Sequence, residues 1–261
     1  MKFDNSDKLE GKKLLLLAIL AGKIMLKNGA ETYRVEDTIE RICKSRKNVQ
    51  YADAFVTPTG IFVSLEYGDE MITYLMRIKS IKIDLNKINL VNEFSREFVN
   101  SNMSINQGLD KLKKLDKVIN YKGLTKTLFA SLGCAFFAIL FGGVFLDFIS
   151  SFLVSLIVLL SINVIDKYEM TFFINNFIGA ALASILSIIV TKIGLGQNMD
   201  TIIISSIMSL VPGVAITNAM RDTISGDLVS GLSRGMEAIF SALAIAFGVG
   251  VILNIYFRGL A

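Results

Sequence analysis

Two apolar runs lie almost back to back in the middle of the chain, TKTLFASLGCAFFAILFGGV at residues 125–144 and FISSFLVSLIVLLSINVI at residues 148–165. Each is close to the roughly 20 residues that an α-helix needs to cross a bilayer. Three further apolar runs follow, at 172–191, 201–219 and 235–256. Because buried helices of a soluble protein rarely come as five such runs in succession, the pattern predicts five transmembrane helices.

The charges outside these runs define a second region. Of the 261 residues, 52% are hydrophobic, yet residues 1–126 contain 22 of the 27 Lys and Arg residues and 16 of the 23 Asp and Glu residues. The hydrophobic content excludes a disordered protein, the presence of only two Cys excludes a disulfide scaffold, and the charge asymmetry excludes a uniform globular enzyme. It predicts a charged domain at 1–122 followed by a transmembrane domain at 123–261.

The N-terminal domain has the pattern of a small α+β fold. Helical spacing of apolar residues predicts helices at 9–28, 31–47, 85–100 and 105–115, and Asn28-Gly29 is a typical helix C-terminus. Alternating residues predict strands at 51–56, 61–65 and 71–78, joined by the turns TPTG and YGDE. We therefore expect a three-stranded antiparallel sheet packed with helices.

Loop charges predict the orientation in the membrane. The polar N-terminus has no signal-peptide pattern, which indicates that it stays in the cytoplasm. With that orientation, Lys and Arg residues at the predicted helix ends number five inside and two outside, in agreement with the positive-inside rule. We therefore expect a multi-pass protein of the cell inner (plasma) membrane with a cytoplasmic N-terminus and an external C-terminus.

Several kinds of chemistry have no support in the sequence. There is no His, and the two cysteines, Cys43 and Cys134, lie in different regions, so we expect no metal site, no cofactor and no Ser-His-Asp catalysis. The lysines of the N-terminal domain lack interleaved aromatic residues, which argues against nucleic acid as a partner. A solvated face at the anionic inner leaflet is the preferred interpretation.

The fourth apolar run contains Pro212-Gly213. Proline removes a backbone donor and clashes with the preceding turn, so the pair predicts a break in the helix. Irregular backbone inside a membrane is tolerated where protein or water surrounds it, and transporters use such breaks to bind substrates. A substrate-binding break in a wet, charged cavity and a simple kink remain two open interpretations.

Charged residues near the end of this run form the densest polar group of the second half. They are Arg221, Asp222, Asp227, Arg234 and Glu237, of which Arg234 and Glu237 are spaced to face each other on a helix. Functional charges and an ordinary charged loop are equal alternatives here. Asn175, in the third run, is expected to contact a polar solute or a neighbouring helix.

The stretch GAETYRVEDT at 29–38 places five ionisable residues at the start of a helix. Glu31 and Arg34 are spaced for one ion pair and Arg34 and Asp37 for another. The spacing alone predicts a surface ion-pair network that contributes little stability.

Three stretches, GAETYRVEDTIERI, TPTGIFVSL and VPGVAITNAMRDTISGDLVSGLSRGMEAI, resemble the threonine/serine exporter family. The likeness covers essentially the whole chain. It implies a cytoplasmic domain followed by five transmembrane helices, and export of threonine and serine driven by the proton motive force. It also implies a second membrane module, which some members carry fused and others leave to a small separate membrane protein. Two-component members are associated with succinate export.

The resemblance points to a set of motif residues. They are Glu31, Arg34, Glu36, Pro212, Gly213, Asn218, Arg221, Asp222, Gly226, Gly231, Arg234 and Glu237. We expect Arg221 to bind a substrate carboxylate, Asp222 or Glu237 to carry the proton, and Asn218, Asn175 and the Pro212-Gly213 backbone to contact substrate.

The expected partners are the lipid bilayer, a small-molecule substrate, a small integral-membrane protein that supplies the second module, and, as one option, a second copy of the chain. Two alternatives to the exporter stay open. One is a membrane-anchored sensor or enzyme whose N-terminal domain is active, and the other is a structural subunit.

Overall fold

A computed structural model describes residues 5–118, 121–168 and 170–259. Its helices and strands are α1 (Asn5–Lys27), α2 (Thr32–Lys44), β1 (Val49–Thr57), β2 (Gly60–Tyr67), β3 (Glu70–Arg77), α3 (Leu85–Asn100), α4 (Ile105–Asp116), α5 (Gly123–Leu140), α6 (Phe145–Ile165), α7 (Phe172–Lys192), α8 (Met199–Ile207), α9 (Gly213–Ile224) and α10 (Leu228–Arg258). The predicted helices and strands of the N-terminal region are therefore confirmed to within a few residues.

The contacts of the chain divide it into two compact units. The first unit contains residues 5–118 together with Val214–Gly235, and the second contains 121–168, 170–213 and 236–259. The sequence-based division assigned Val214–Gly235 to the transmembrane domain. The structure groups this segment with the N-terminal part instead, because its polar side chains bond to the start of α2.

The first unit is built around α1. Its residues Leu14–Leu26 are buried on nearly every side, which explains why this helix is apolar all round rather than on one stripe. The sheet has the order β1-β2-β3 with antiparallel neighbours, as predicted. Gly29 ends α1 with a φ of +91°, a conformation that favours glycine, and turns the chain into α2.

The second unit shows the burial pattern of a membrane protein. Small and hydroxyl-bearing side chains are buried in α5, α6 and α7, among them Ser131, Ser151 and Ser184, whereas large apolar side chains such as Phe129 face outwards. Small residues let helices approach closely where lipid gives no hydrophobic drive for association. At Gly248 of α10, a Cβ would lie only 2.5 Å from the Phe177 carbonyl oxygen of α7, so these helices touch at backbone distance.

In the described part of the chain, four helices are long and apolar enough to cross a membrane, namely α5, α6 with the turn that follows it, α7 and α10. The interrupted pair Met199–Leu210 and Gly213–Ile224 makes a fifth candidate when it is counted as one span. The described residues thus form a mostly helical, multi-pass membrane protein with four or five candidate spans. The prediction of five depends on how the interrupted pair is counted.

Hydrogen bonds that involve side-chain hydroxyl groups join the helices of the second unit. Ser151 of α6 and Ser205 of α8 lie 2.7 Å apart, and Asn163 of α6 donates to Thr127 of α5 at 3.0 Å. Asp147, at the start of α6, is 1% exposed. It accepts bonds from the backbone N–H groups of Gln197 and Asn198, so it anchors the loop before α8.

Candidate functional site

Two distant parts of the chain meet in the first unit. We call the group formed by Glu31, Thr32, Asn218, Arg221, Asp222, Asp227 and Arg234 the Thr32 cluster. It joins the start of α2 to the turn between α9 and α10. Gly226 supplies the turn with a φ of +91°, and Asp227 caps α10 by accepting a bond from the Ser230 N–H at 3.1 Å. This local geometry places the two aspartates beside α2.

Asp222 lies at the centre of the Thr32 cluster and is fully buried. Its Oδ1 accepts bonds from the Thr32 backbone N–H at 3.2 Å and from the Thr32 hydroxyl at 3.0 Å. Its Oδ2 lies 3.1 Å from Arg234 Nε in an ion pair, although the two atoms are not aligned for a hydrogen bond. A second nitrogen of Arg234 donates to the Ala30 carbonyl at 2.8 Å, so this arginine is itself held in place.

Glu31 is the second buried carboxylate, at 5% exposure, and not the surface group that its spacing suggested. Arg221 Nη1 donates to it at 2.5 Å, and Arg34 lies 3.1 Å away on the other side. Burial raises the pKa of Glu31, but the bonds from its own backbone N–H and from Arg221, together with the charge of Arg34, outweigh burial and bring the pKa below its usual value. Glu31 is therefore an ionised partner for both arginines.

Asn218 and Glu36 bind backbone groups at the edges of the Thr32 cluster. Asn218 donates to the Gly29 carbonyl at 2.9 Å, and Glu36 accepts from the Val56 N–H at 2.8 Å. Burial raises the pKa of Glu36, the bond from Val56 opposes that rise, and the negative charge of nearby Asp227 adds to it. Negative charge is thus concentrated on the Asp227 side of the cluster.

The other expected site residues belong to the second unit. Pro212 separates two helices, as predicted: α8 and a short 3₁₀ turn end at Leu210, and α9 begins at Gly213. The cavity of about 410 Å³ at this break is apolar, which favours the simple kink over the wet, charged cavity. It is lined by Ile207, Val211, Pro212, Ala242, Ile245, Ala246, Val249 and Gly250.

Asn175 and Glu237 make no joint site within the described residues. Asn175 donates to Asp166 at 2.7 Å, while its side-chain oxygen is buried without a hydrogen-bond partner. Glu237 is exposed, and the predicted pairing of Glu237 with Arg234 is replaced by the ion pair between Arg234 and Asp222. Arg34 pairs with Glu31, as its spacing predicted, while Asp37 pairs with Arg41 instead of Arg34.

Sequence reasoning missed Thr32 as a site residue and gave Asp227 no role. Thr32 lies between two ionisable motif residues and attracted no attention because a threonine has no charge. Its buried hydroxyl, however, contacts two carboxylates. Across residues 5–118, 121–168 and 170–259, no group of three metal-ligating side chains comes together. The chemistry of the Thr32 cluster is therefore that of carboxylates, guanidinium groups and a shared hydroxyl.

Comparison with known proteins gives a family and two relatives. A family model described as "Putative threonine/serine exporter" matches residues 16–256. A probable threonine/serine exporter of Mycobacterium tuberculosis is 21% identical over 253 residues, covering 95% of this chain and 47% of the relative, so the chain spans about half the length of that protein. A probable succinate transporter subunit, YjjP, of Klebsiella aerogenes is 23% identical over 258 residues, or 98% of each chain. No solved structure matches.

Proposed function

This chain belongs to the threonine/serine exporter family, and we propose that it is an exporter subunit that moves small polar metabolites out of the cell. Threonine and serine are the first candidate substrates, and the proton motive force is the proposed driving force. The single observation that carries this proposal is the family match over residues 16–256, which includes both halves of the Thr32 cluster. We place the protein in the inner membrane with its N-terminus in the cytoplasm, where it acts as a transporter and not as an enzyme or sensor.

The geometry supports different roles for the two arginines of the Thr32 cluster. The Arg221 side chain is 56% exposed and holds Glu31 through one nitrogen, so it can exchange that carboxylate for the carboxylate of an amino acid. Arg234 is buried against Asp222 and keeps this charge in place. We propose Arg221 for substrate binding and Asp222 for proton coupling, with Asn218 positioning the loop at Gly29.

The remaining candidates are Glu237, Asn175 and the Pro212-Gly213 backbone. Glu237 stays an alternative proton carrier because it is exposed and unpaired with Arg234. Asn175 stays a candidate substrate contact because its buried side-chain oxygen has no partner. The apolar surroundings of Pro212 favour a structural kink over substrate binding by the Pro212 and Gly213 backbone.

The test is efflux of labelled threonine, serine and succinate from loaded cells that express the full chain. We expect Asp222→Asn and Arg221→Gln to reduce efflux, because each removes a charge that the proposal uses. Arg96→Gln is the matched control, since Arg96 is an exposed arginine of α3. Efflux that stays at the wild-type rate in both cluster variants would remove the site assignment. Efflux no faster than in cells without the protein, even when a small multi-span membrane protein is co-expressed with this chain, would remove the function.

Succinate is the second candidate substrate. The observation that favours it is the Klebsiella relative, which matches this chain end to end and is named a succinate transporter subunit. The same efflux experiment separates the two, because export of labelled threonine, labelled serine and labelled succinate is counted separately.

We further propose that the chain works with a second membrane subunit. The word "subunit" in the name of the Klebsiella relative and the double length of the mycobacterial relative support this proposal. Efflux should then require co-expression of a small multi-span membrane protein with this chain. Equal efflux with and without that protein would show that the chain, alone or as a homo-oligomer, is sufficient.

A further inference from the structure

The Thr32 hydroxyl makes two short contacts with two different carboxylates. Its Oγ1 lies 3.0 Å from Asp222 Oδ1 and 2.8 Å from Asp227 Oδ2. A hydroxyl has one proton and donates to one acceptor at a time. If both carboxylates are ionised, one of these contacts joins two lone pairs. The arrangement is satisfied when one of the two aspartates carries a proton and donates it to Thr32.

The charges that surround this bridge do not remove the need for a proton. From α2, Glu31, Glu36 and Arg34 face this region, and Arg34 and Arg221 are both engaged with Glu31. From α10, Arg234 approaches only the far oxygen of Asp222, without an aligned hydrogen bond.

The Asp227 side of the bridge has no positive partner. No ion pair within the described residues includes Asp227, while Glu36 lies close enough to interact with its charge and Asp53 of β1 acts on Glu36 in turn. The need for a proton therefore rests on the geometry of the Thr32 hydroxyl, which lies between two carboxylates.

We propose that Asp222, Thr32 and Asp227 form a one-proton binding site. A proton from water binds Asp227 Oδ2. The protonated Asp227 carboxyl then donates a hydrogen bond to Thr32 Oγ1, and the Thr32 hydroxyl donates a hydrogen bond to Asp222 Oδ1. Release reverses these steps. Asp227 is the entry point because it is half-buried, whereas Asp222 is fully buried. The role of this site in transport rests on the proposed function. The site extends that function in two ways: Asp227 joins Asp222 in binding the proton, and the bound proton controls the connection between α2 and the α9–α10 turn.

The effect of the proton is to hold α2 and the α9–α10 turn together. With the proton bound, every contact of Thr32 Oγ1 is a hydrogen bond. With the proton lost, the Asp227 carboxylate repels the Asp222 carboxylate and the lone pairs of Thr32 Oγ1, and the turn loosens from α2. Rising pH should therefore weaken this connection, and falling pH should strengthen it.

Asp227→Asn is a close mimic of the protonated site. The Asn side-chain oxygen can still accept the bond from the Ser230 N–H that caps α10, and its NH₂ group can donate to Thr32 where the protonated carboxyl would. Thr32→Val removes the bridge and nearly preserves side-chain shape. Asp69→Asn is the control, because Asp69 is an exposed carboxylate of the β2–β3 turn in the same unit.

The experiment is an infrared titration of the full chain in lipid nanodiscs, with Glu36→Gln as the common background so that Glu36 does not contribute. We expect one carboxylic-acid C=O band that disappears as pH rises. It should be lost in Asp227→Asn, shifted or lost in Thr32→Val, and unchanged in Asp69→Asn. The melting temperature should fall with rising pH in the background protein and stay nearly flat in Asp227→Asn.

Two results would overturn the proposal: absence of the band in the background protein, or its persistence unchanged in Asp227→Asn. These readouts need no transport, so they are separate from the efflux test. A band that behaves as expected in a chain that exports none of the tested metabolites would establish the proton site and reject the proposed function. Normal proton-driven efflux without the band would support the proposed function and reject the proton site.

Discussion

Arg234 is 4% exposed, and its guanidinium is the positive charge in contact with the buried Asp222 carboxylate. An ion pair of this kind costs desolvation when it forms, so its presence is weak evidence for stability. Removing one member is different, because the remaining charge is left buried without a partner. Arg234 therefore matters because it prevents the Asp222 carboxylate from being buried without a positive partner.

We predict that Arg234→Gln lowers the free energy of unfolding by about 3–5 kcal/mol, the usual range for breaking a buried pair. Thermal unfolding of the purified chain measures the change. Arg96→Gln, at an exposed site on α3, should leave the melting temperature nearly unchanged. The double variant Asp222→Asn with Arg234→Gln should recover part of the loss, and a double variant as unstable as the sum of both single variants would show that the pair is not coupled.

Glu36 gives a prediction about pH. Burial and the charge of Asp227 raise its pKa above the ordinary 4.5, so the folded state holds this proton more firmly than the unfolded state does. The stability that Glu36 contributes is complete below pH 4.5 and is lost as pH rises through its folded-state pKa. Glu36→Gln should therefore raise the melting temperature at neutral pH and have little effect at low pH, while its oxygen still accepts the bond from Val56.

Melting curves of the wild type and Glu36→Gln across a pH series measure this difference. A gap between the two proteins that stays constant at all pH values would mean that ionisation of Glu36 is not the cause. Glu70→Gln is not a suitable control, since Glu70 is itself engaged in an interaction. Glu10→Gln, at an exposed position of α1, is preferable.

At the scale of elements, the turn between α9 and α10 depends on a close approach at Gly231. A Cβ at this position would overlap the Thr223 hydroxyl and lie 3.0 Å from the Ala219 carbonyl oxygen. At Gly235, one turn along the same helix, the nearest atom to a Cβ is Ala219 Cβ at 4.0 Å. Two glycines of one helix thus have opposite steric surroundings.

We predict that Gly231→Ala destabilises the first unit by about 1–3 kcal/mol, the usual cost of overpacking. Gly235→Ala should be neutral, or stabilising by up to about 1 kcal/mol, because alanine favours helix more than glycine does. Thermal unfolding of the purified variants measures both changes. The steric argument fails if the two substitutions have equal effects.

Elements with a strong period were predictable from the sequence, and their contacts were not. The alternation in β1 and β2 and the spacing along α3 gave the strands and helix to within three residues. Pro212 gave the break between α8 and α9 because proline has no N–H to donate. The partner of Asp222 was missed, since Thr32 is 190 residues away and no local pattern links the two. Glu31 was misjudged for the same reason, because its partner Arg221 is also 190 residues away.

At the scale of the whole molecule, each unit has its own interior and one cysteine. Cys43 is buried in the core of the first unit, where burial raises the pKa of its thiol to about 12, and Cys134 is buried in α5 of the second unit. Both thiols are therefore protected from reagents as long as their unit is folded.

We predict that the two units open separately in urea. A chain with Cys134→Ser leaves Cys43 to report on the first unit, and Cys43→Ser leaves Cys134 to report on the second. Maleimide labelling of Cys43 should begin at lower urea, because helices in a lipid-like environment have no competing hydrogen-bond partners for their backbone. Coincident labelling of the two cysteines would indicate that the chain unfolds as one cooperative body.

The separation of 190 residues between Thr32 and Asp222 also sets an order of events on the ribosome. Chains emerge N-terminus first, and domains generally fold as they appear. The earliest helices of this protein must nevertheless wait for their last contacts until translation has passed α5 to α8. The bond between Thr32 and Asp222 is thus a late step of biogenesis, and a polypeptide truncated before residue 222 never makes it. In such unfinished chains the start of α2 lacks its contacts with Asp222, so quality-control proteases could reach it there.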